Sequence, residues 1–389
     1  MLTSPRKAWQ RLRSLLPVPA FYFDRPLVVL QSDDWGRVGL RDQEGLDQLR
    51  SAGMELGERP YDFYTLETSA DVSALHETLA KHCDSTGRPP CIGMNFIQAN
   101  LDFHRIKEDG FRQIHLLPLS DGLPEGWHRP GLFEAYRDGI AQQVFRPQLH
   151  GTTHFCRAAV ERHFSDSKRG DLLRTLWQAG TPYIYWRMPW IGYEYWDAEG
   201  ANDRFLPAEE QSHLIGHAVG IFPRVFSTLP DSACAPGYRA NVDTHEAWAK
   251  YGIRIAQSGP GALTPPHLDR ELLHSYRSVE FEPATDPNFS LEACLLRAAQ
   301  CFSRKIPAII SLHSINFHSS VKDFRSRSLK LLNEFFSALQ AAHPDLLYVH
   351  DRDLFELVQH GCFESTQGTV KLNVTRKNLT RARTRGVEA

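Results

Sequence analysis

Two adjacent carboxylates, Asp33 and Asp34, follow a short apolar run and are closed off by Gly36. The run from Leu27 to Leu30 is continuous and rich in β-branched residues, which predicts a strand buried on both faces. Like charges side by side raise one pKa unless a cation compensates them. A polar turn that caps the next helix explains a lone Asp-Asp pair equally well, so the two carboxylates indicate chemistry only if partners exist elsewhere in the chain.

His150 and His154 are candidate partners for the carboxylates. If they lie on one helical turn, their spacing of four places both imidazoles on one side, near enough to share a metal ion. The spacing alone is weak evidence, because the chain has 18 histidines and His213 and His217 repeat it within a predicted amphipathic helix. The first pair differs because it follows a predicted strand in a loop with Gly151, where β/α enzymes place their active sites.

Two neutral imidazoles and one carboxylate predict a hydrolytic metal site. Asp34 is the predicted carboxylate ligand beside His150 and His154, which leaves positions open for water and substrate. Zinc in such a site lowers the pKa of a bound water and polarises a carbonyl group. Asp33 would then accept the proton of that water as general base. The charge of the metal would also keep both carboxylates ionised.

His313 ends the apolar run 308–312. A histidine at the end of a strand can donate a proton to a leaving group, and a neutral histidine bonded to the backbone is the alternative. The segment 182–196 is dense in aromatic residues, which suits stacking on a sugar ring but is also typical of core packing. Trp186 and Arg187 in this segment are candidate substrate-binding residues.

The elements that must position these residues alternate along the chain. Short apolar runs at 91–97, 146–149, 253–257 and 307–313 are separated by helical segments, with polar residues just after the runs. This alternation predicts an α/β fold, either a β/α barrel or a doubly wound sheet. Alternation along a further strand at 277–281 places Glu280 and Glu282 on one side, at the barrel mouth or in solvent.

The composition is that of a globular enzyme, with 42% hydrophobic and 11% aromatic residues among 389. A formal net charge of −2 gives no indication of a nucleic-acid partner, and no apolar run is long enough for an integral membrane segment. Seven cysteines without a CxxC pair predict reduced thiols. With no convincing signal peptide, these features predict a cytoplasmic protein; the oligomeric state stays open.

The predicted domain organisation has three parts. A basic N-terminal segment spans residues 1–20 and contains a predicted amphipathic helix at 5–16, which packs on the domain or contacts a membrane surface. A single domain spans 21–360. The basic segment 361–389 is predicted to be a mobile tail, because it contains little apolar material.

The order of the motifs resembles the polysaccharide deacetylase (NodB-homology) family, as an outlying branch. The motifs are Asp-Asp with Gly36, the HxxxH pair, a Pro-Gly-Tyr turn at 236–238 and the SLHSINF segment that contains His313. The resemblance covers about residues 26–357. It implies a distorted (β/α) barrel of the polysaccharide deacetylase type and metal-dependent removal of an acetyl group, chiefly N-acetyl, from a carbohydrate or glycan precursor.

The resemblance also implies a role for each motif residue. Asp33 corresponds to the catalytic base and His313 to the general acid. Asp34, His150 and His154 correspond to the ligands of a divalent metal ion, with zinc expected. The nucleophile would be a water molecule on the metal.

The sequence departs from the family pattern at two motifs. Cys234 stands where the family has an arginine that holds the base carboxylate, and Arg239 is the candidate replacement. Residues 257–259 replace an Asp-rich motif and leave His313 without an obvious carboxylate partner. Tyr238 and Arg239 are further candidates for substrate binding. The departures keep two alternatives open, a hydrolase of a non-sugar amide on the same scaffold and a catalytically silent glycan-binding relative.

Overall fold

The computed structural model describes residues 16–201 and 203–380, so most of the helix predicted at 5–16 lies outside the described residues. Within these ranges the α-helices are α1 (Gln43–Ser51), α2 (Ser69–Leu79), α3 (Phe103–Glu108), α4 (Leu132–Ala141), α5 (Arg157–Arg162), α6 (Ser167–Gln178), α7 (Ala208–Phe226), α8 (Val242–Lys250), α9 (Leu291–Ser303), α10 (Arg325–Ala342) and α11 (Asp351–His360).

The strands are β1 (Val18–Phe23), β2 (Leu27–Trp35), β3 (Ile92–Ile97), β4 (Ala99–Leu101), β5 (Leu116–Pro118), β6 (Phe145–Gly151), β7 (Ser232–Cys234), β8 (Ile255–Ser258), β9 (His267–Asp269), β10 (Leu272–Tyr276), β11 (Val279–Glu280), β12 (Ala308–His313), β13 (Leu347–Tyr348), β14 (Cys362–Ser365), β15 (Gly368–Lys371) and β16 (Val374–Leu379).

The main sheet has the strand order β11-β12-β2-β3-β6-β7-β8-β10-β9-β1-β16, and β13 pairs with the start of β2. Strands from β11 to β10 are parallel to their neighbours, and β9, β1 and β16 continue the sheet in antiparallel fashion. The sheet curls into a half-barrel. The predicted α/β fold with a distorted barrel is confirmed.

Strand β2 lies inside the sheet and is buried along its whole length, as its continuous apolar run predicts. Its neighbour β12 runs parallel to it in a register that joins Ala308 to Val28 and His313 to Asp33. Because the strands are parallel, their carboxyl ends meet at one edge of the sheet. The last residues of β2, β6, β7, β8 and β12 therefore come together there.

The C-terminal segment is not a mobile tail over residues 362–379. Strands β14 and β15 pair with each other, and β16 pairs with β1 from Val18–Leu379 to Phe23–Val374. The prediction is wrong because β16 is an edge strand with mostly exposed side chains, and charged residues such as Arg376 and Lys377 suit an edge. Strand β1 begins at Val18, inside the predicted segment 1–20. No helix in the described part of the chain has the length and apolar content needed to cross a bilayer.

Candidate active site

An irregularity in β2 brings both aspartates to the same region. Successive side chains of a regular strand point to opposite faces. The register between β2 and β3 shifts between Ser32 and Trp35, and Asp34 has a φ of 74°. Aspartate tolerates this left-handed backbone better than most residues with a side chain. Such irregularities redirect a side chain, and here the redirected carboxylate is that of Asp34, which meets the two histidines.

Asp34, His150 and His154 form a compact buried cluster. Nε2 of His154 lies 3.2 Å from Asp34 Oδ1, and Nε2 of His150 lies 3.5 Å from the same oxygen. One potential ligand atom from each residue lies within 4.8 Å of the others. The predicted metal triad is thus brought together in space, although His150 belongs to β6 and His154 to the following loop, so the premise of a shared helical turn is wrong.

Gly151 allows the chain to turn between the two histidines. Its φ is 118°, and a Cβ atom there would lie 2.0 Å from Oε2 of Glu194. Oε1 of Glu194 accepts hydrogen bonds from the backbone N–H groups of Thr152 and Thr153 at 2.8 and 3.2 Å. Glu194 therefore supports the loop that carries His154.

The polar atoms of this cluster fit a divalent metal ion. Nδ1 of His150 lies 2.9 Å from the carbonyl oxygen of Cys234, which can only accept, so Nε2 carries the lone pair. Asp34 Oδ2 is held by Arg37 at 3.1 Å. Asp34 Oδ1 and His150 Nε2 are buried and have no hydrogen-bond partner among the described residues. Buried polar atoms are nearly always paired, and a carboxylate oxygen beside two imidazole nitrogens is a ligand set that suits zinc.

The electrostatics of the cluster favour the protonation states that a metal ligand requires. Burial raises the pKa of Asp34, but the charge of Arg37 outweighs it and holds that pKa well below its usual value. Burial lowers the pKa of His154 well below its usual value, in spite of the neighbouring carboxylate. The carboxylate is therefore ionised and the imidazole neutral near pH 7.

Asp33 is held by an arginine that the sequence did not indicate. Nη2 of the fully buried Arg277 lies 2.5 Å from Oδ1 of Asp33, and Nη1 lies 2.9 Å from Oδ2. Nδ2 of Asn95 donates to Oδ1 at 2.7 Å. Burial raises the pKa of Asp33, but Arg277 more than compensates and the pKa falls to about 2. Arg277 thus fills the position for which Arg239 was the sequence candidate; the guanidinium of Arg239 instead lies 4.8 Å from the ring centre of Trp196.

His313 has a carboxylate partner, contrary to the sequence expectation. Its Nδ1 lies 2.6 Å from Oε1 of Glu282, whose other oxygen accepts a hydrogen bond from Asn316 at 2.7 Å. Its Nε2 lies 3.9 Å from Oδ2 of Asp33. Burial lowers the pKa of His313, but Glu282 and then Asp33 raise it to about 9. The imidazole is therefore protonated at neutral pH.

A buried polar network continues from Asp33 into the interior of the half-barrel. Oε1 of Gln257 accepts from Asn95 at 2.7 Å and from Arg277 at 3.1 Å. Nε2 of Gln257 donates to Asp351 at 2.9 Å and lies 2.8 Å from Oγ of Ser232. Gln257, which belongs to the segment that replaces the Asp-rich motif, therefore satisfies both the amide and the guanidinium that hold Asp33.

The candidate substrate-binding residues have different environments. The hydroxyl of Tyr238 lies 3.0 Å from Nη1 of Arg277, beside the base. Trp186 is 61% exposed and has a φ of 68°, an unusual backbone for a bulky residue. Arg187 donates to both oxygens of Asp62, at 2.7 and 2.8 Å. Arg187 thus anchors its own segment and lies outside the two cavities beside the site.

Two cavities open beside the cluster and share Trp186. One, of about 450 Å³, contains His313 and Glu282 with Arg59, Pro60, Tyr61 and Thr285. The other, of about 420 Å³ by the same measure, contains His154 and a wall of aromatic residues. These volumes are close, and both lie in the range of small-molecule sites, roughly 300–1,000 Å³. A molecule bound across Trp186 would touch both sides of the candidate centre.

The fold and the cluster together define an α/β half-barrel with a candidate hydrolytic metal centre at the carboxyl edge of its sheet. No protein-family model matches this sequence, and no curated protein sequence matches it. Solved structures do match in fold. A "putative glycoside hydrolase/deacetylase" from Parabacteroides distasonis aligns over 90% of this chain and 74% of its own, with a TM-score of 0.51 and 10% identity.

Two further solved structures align over a similar length. A "putative polysaccharide deacetylase" from Mycobacterium smegmatis aligns over 86% of this chain and 90% of its own, with 12% identity and a TM-score of 0.45. A family 4 carbohydrate esterase from Streptomyces lividans aligns over 84% of this chain and 92% of its own, with 11% identity and a TM-score of 0.35. The Parabacteroides match confirms the predicted fold type, a distorted barrel of the polysaccharide deacetylase kind.

Proposed function

We propose that this protein is a metal-dependent hydrolase that removes an acetyl group, chiefly N-acetyl, from a carbohydrate. The observation that carries the proposal is the meeting of two carboxylates and three histidines, contributed by β2, β6 with its following loop and β12, at one edge of the sheet. The structural neighbour from Parabacteroides distasonis is a "putative glycoside hydrolase/deacetylase", which agrees with this reaction.

Asp34, His150 and His154 would hold the metal ion. When bound, a divalent ion such as zinc supplies a Lewis acid that acidifies water and polarises the carbonyl of the acetyl group. Arg37 keeps one oxygen of Asp34 occupied. The Cys234 carbonyl fixes the tautomer of His150, an outer-shell contact of the kind that sets ligand orientation.

Asp33 and His313 would move the protons of the reaction. Asp33 is ionised and accepts the proton of the attacking water, and Arg277 and Asn95 fix the orientation of its carboxylate. His313 is protonated and donates to the leaving amine, and Glu282 fixes its ring. The base and the acid are adjacent across two paired strands, so they approach one bound group from neighbouring positions.

The sequence motifs lack an arginine for the base and a carboxylate for the acid, which favoured a catalytically silent relative, but other residues supply both groups. The missing motif arginine has a counterpart in Arg277, and the missing carboxylate partner of the acid has one in Glu282. A site that served only to bind a glycan would not need a buried carboxylate, held by an arginine, beside three residues that can bind a metal ion. These contacts support hydrolysis over binding alone.

The direct test is the metal content of the purified protein, measured together with acetate release from a panel of N-acetyl sugars with and without chelator. We expect about one divalent ion per chain and acetate release that stops when the chelator is added. A protein that contains no metal and regains no activity with added zinc would contradict the proposal.

Replacing His150 with alanine should reduce metal affinity by at least about 100-fold, because only two protein ligands remain and loss of an outer-shell partner alone costs up to that much. Titration with zinc, followed by elemental analysis after dialysis, measures the change. His213→Ala is the matched control, since His213 has the same spacing to a second histidine but is exposed on α7. Equal metal content in all three proteins would place the metal elsewhere.

The pH profile of kcat/KM tests the pairing of His313 with Glu282. Since His313 must be protonated to act as an acid and its pKa is raised to about 9, activity should fall as the pH rises through that value. Glu282→Gln removes the carboxylate that raises this pKa, so the alkaline limb should move to lower pH while KM changes little. An alkaline limb that stays in place would show that another group controls it.

A further inference from the structure

Three arginines from separate segments line the cavity that contains His154 and the wall of aromatic residues. They are Arg169 of α6, Arg204 from the loop before α7 and Arg239 from the turn after β7. The cavity is also lined by six tyrosine and tryptophan residues, namely Tyr183, Tyr185, Trp186, Trp190, Tyr193 and Trp196. We call this cavity the aromatic–arginine pocket.

Each guanidinium in the pocket lies against a tryptophan ring. The guanidinium carbons of Arg239 and Arg204 lie 4.8 and 5.4 Å from the ring centre of Trp196. That of Arg169 lies 5.0 Å from Trp190. Stacking of this type fixes a guanidinium on an aromatic face. The N–H donors around its planar edge remain suited to a phosphate or carboxylate, which arginine binds through two parallel hydrogen bonds.

Positive charge exceeds negative charge in the lining of the pocket. Glu199 is the one carboxylate among the lining residues, and it lies 2.9 Å from Nη1 of Arg169 and 3.1 Å from Nε2 of His163. Arg204 forms no ion pair with any residue in 16–201 or 203–380. A neutral sugar would leave the charge of Arg204 to water, whereas an anionic group would complement it.

The pocket is continuous with the candidate centre. His154, one of the proposed metal ligands, is part of its wall, and Trp186 belongs both to this pocket and to the cavity that contains His313. A substrate whose leaving group meets His313 can therefore pass over the exposed ring of Trp186 and place a substituent against Trp196.

We propose that the substrate carries an oxyanion, as a phosphate or a carboxylate joined to the acetylated sugar, and that Arg204 and Arg239 bind this oxyanion in the aromatic–arginine pocket. The inference rests on the proposed deacetylation for the identity of the sugar, and on the pocket itself for the charge. It makes the two arginines specificity residues that act at a distance from the reacting acetyl group.

Calorimetric titration of the full chain tests the proposal with three ligands. N-acetylglucosamine 1-phosphate carries a phosphate, N-acetylmuramic acid carries a carboxylate, and N-acetylglucosamine is neutral. At least one anionic ligand should bind about tenfold or more tightly than the neutral sugar, as expected for charge-assisted hydrogen bonds. Its identity distinguishes a phosphate source from a carboxylate source.

The variants Arg204→Gln and Arg239→Gln should each remove most of this preference, and the preference should weaken with added salt. Arg137→Gln is the control, because Arg137 is an exposed arginine of α4 paired with Glu134. Equal affinities for charged and neutral ligands, no binding of either anionic ligand, or an unchanged preference in both variants would overturn the proposal.

Acetate release measured on the same proteins separates this inference from the proposed function. If charged and neutral N-acetyl sugars are deacetylated equally well, and Arg204→Gln changes neither rate, the reaction stands and the anionic specificity falls. If anionic ligands bind through the arginines but no acetate is released with any divalent metal, the pocket stands and the deacetylase assignment falls.

Discussion

Replacing Asp33 with asparagine should lower acetate release by about 100- to 10,000-fold, the usual contribution of a general base, while the metal content stays at one ion per chain. The amide has nearly the same shape as the carboxylate but cannot accept the proton of the attacking water. Acetate assays at saturating substrate, with elemental analysis of the same preparation, measure both quantities.

The same substitution at the neighbouring Asp34 is the matched control. Asp34→Asn should lose metal, because Oδ1 of Asp34 lies beside Nε2 of both His150 and His154. The neighbouring group Asp33, His150 and Cys234 could in principle hold an ion instead, since its ligand atoms are equally close. Both oxygens of Asp33 are already hydrogen-bonded to Arg277, however, whereas Oδ1 of Asp34 has no partner among the described residues. Loss of metal in Asp33→Asn would show that the two aspartates have exchanged roles.

Features that are local in the sequence could be predicted, and the part of the fold that carries the candidate site follows from them. The apolar run before Asp33 identifies a buried parallel strand, and polar residues after such strands meet at one edge. The redirection of Asp34 could not be predicted, because it depends on a register shift against β3. The strands in the C-terminal segment were also missed, since an edge strand with charged side chains has the composition of a solvated tail.

The partners of the proposed base and acid could not be predicted, because they are distant in the chain. Arg277 is 244 residues from Asp33, and Glu282 is 31 residues from His313. Proximity of these pairs depends on the order of strands in the curled sheet. The sequence signal for Arg277 is a single arginine at the start of a short apolar run, and strand alternation places Glu282 either at the barrel mouth or in solvent. Arg239 was the candidate to hold Asp33 because it directly follows the Pro-Gly-Tyr turn at 236–238.

Replacing Arg277 with methionine should reduce the free energy of unfolding by about 3–5 kcal/mol, because it leaves a buried carboxylate without its counter-charge. Arg277 is fully buried and binds both oxygens of Asp33. Urea unfolding in the presence of chelator measures the loss without a contribution from metal binding. Arg137→Met is the control for removing an exposed pair, and it should cost less than about 1 kcal/mol.

The pH dependence of the Arg277→Met variant separates loss of the charge pair from loss of packing. In the wild type the pKa of Asp33 is lowered to about 2, so this carboxylate contributes stability above its unfolded pKa of about 4 that is lost as the pH falls through 2. Without Arg277, burial raises the pKa of Asp33 above the unfolded value, and protonation then favours the folded state. The difference in stability between wild type and variant should therefore shrink as the pH is lowered towards 3.

Combining Arg277→Met with Asp33→Asn completes the test, because it removes both charges. The double variant should be more stable than Arg277→Met alone at pH 7, since no buried charge remains without a partner. If the double variant is as unstable as the single one at every pH, the loss comes from packing around the guanidinium. In that case the low pKa of Asp33 would need another cause, and the argument that Arg277 keeps the base ionised would fail with it.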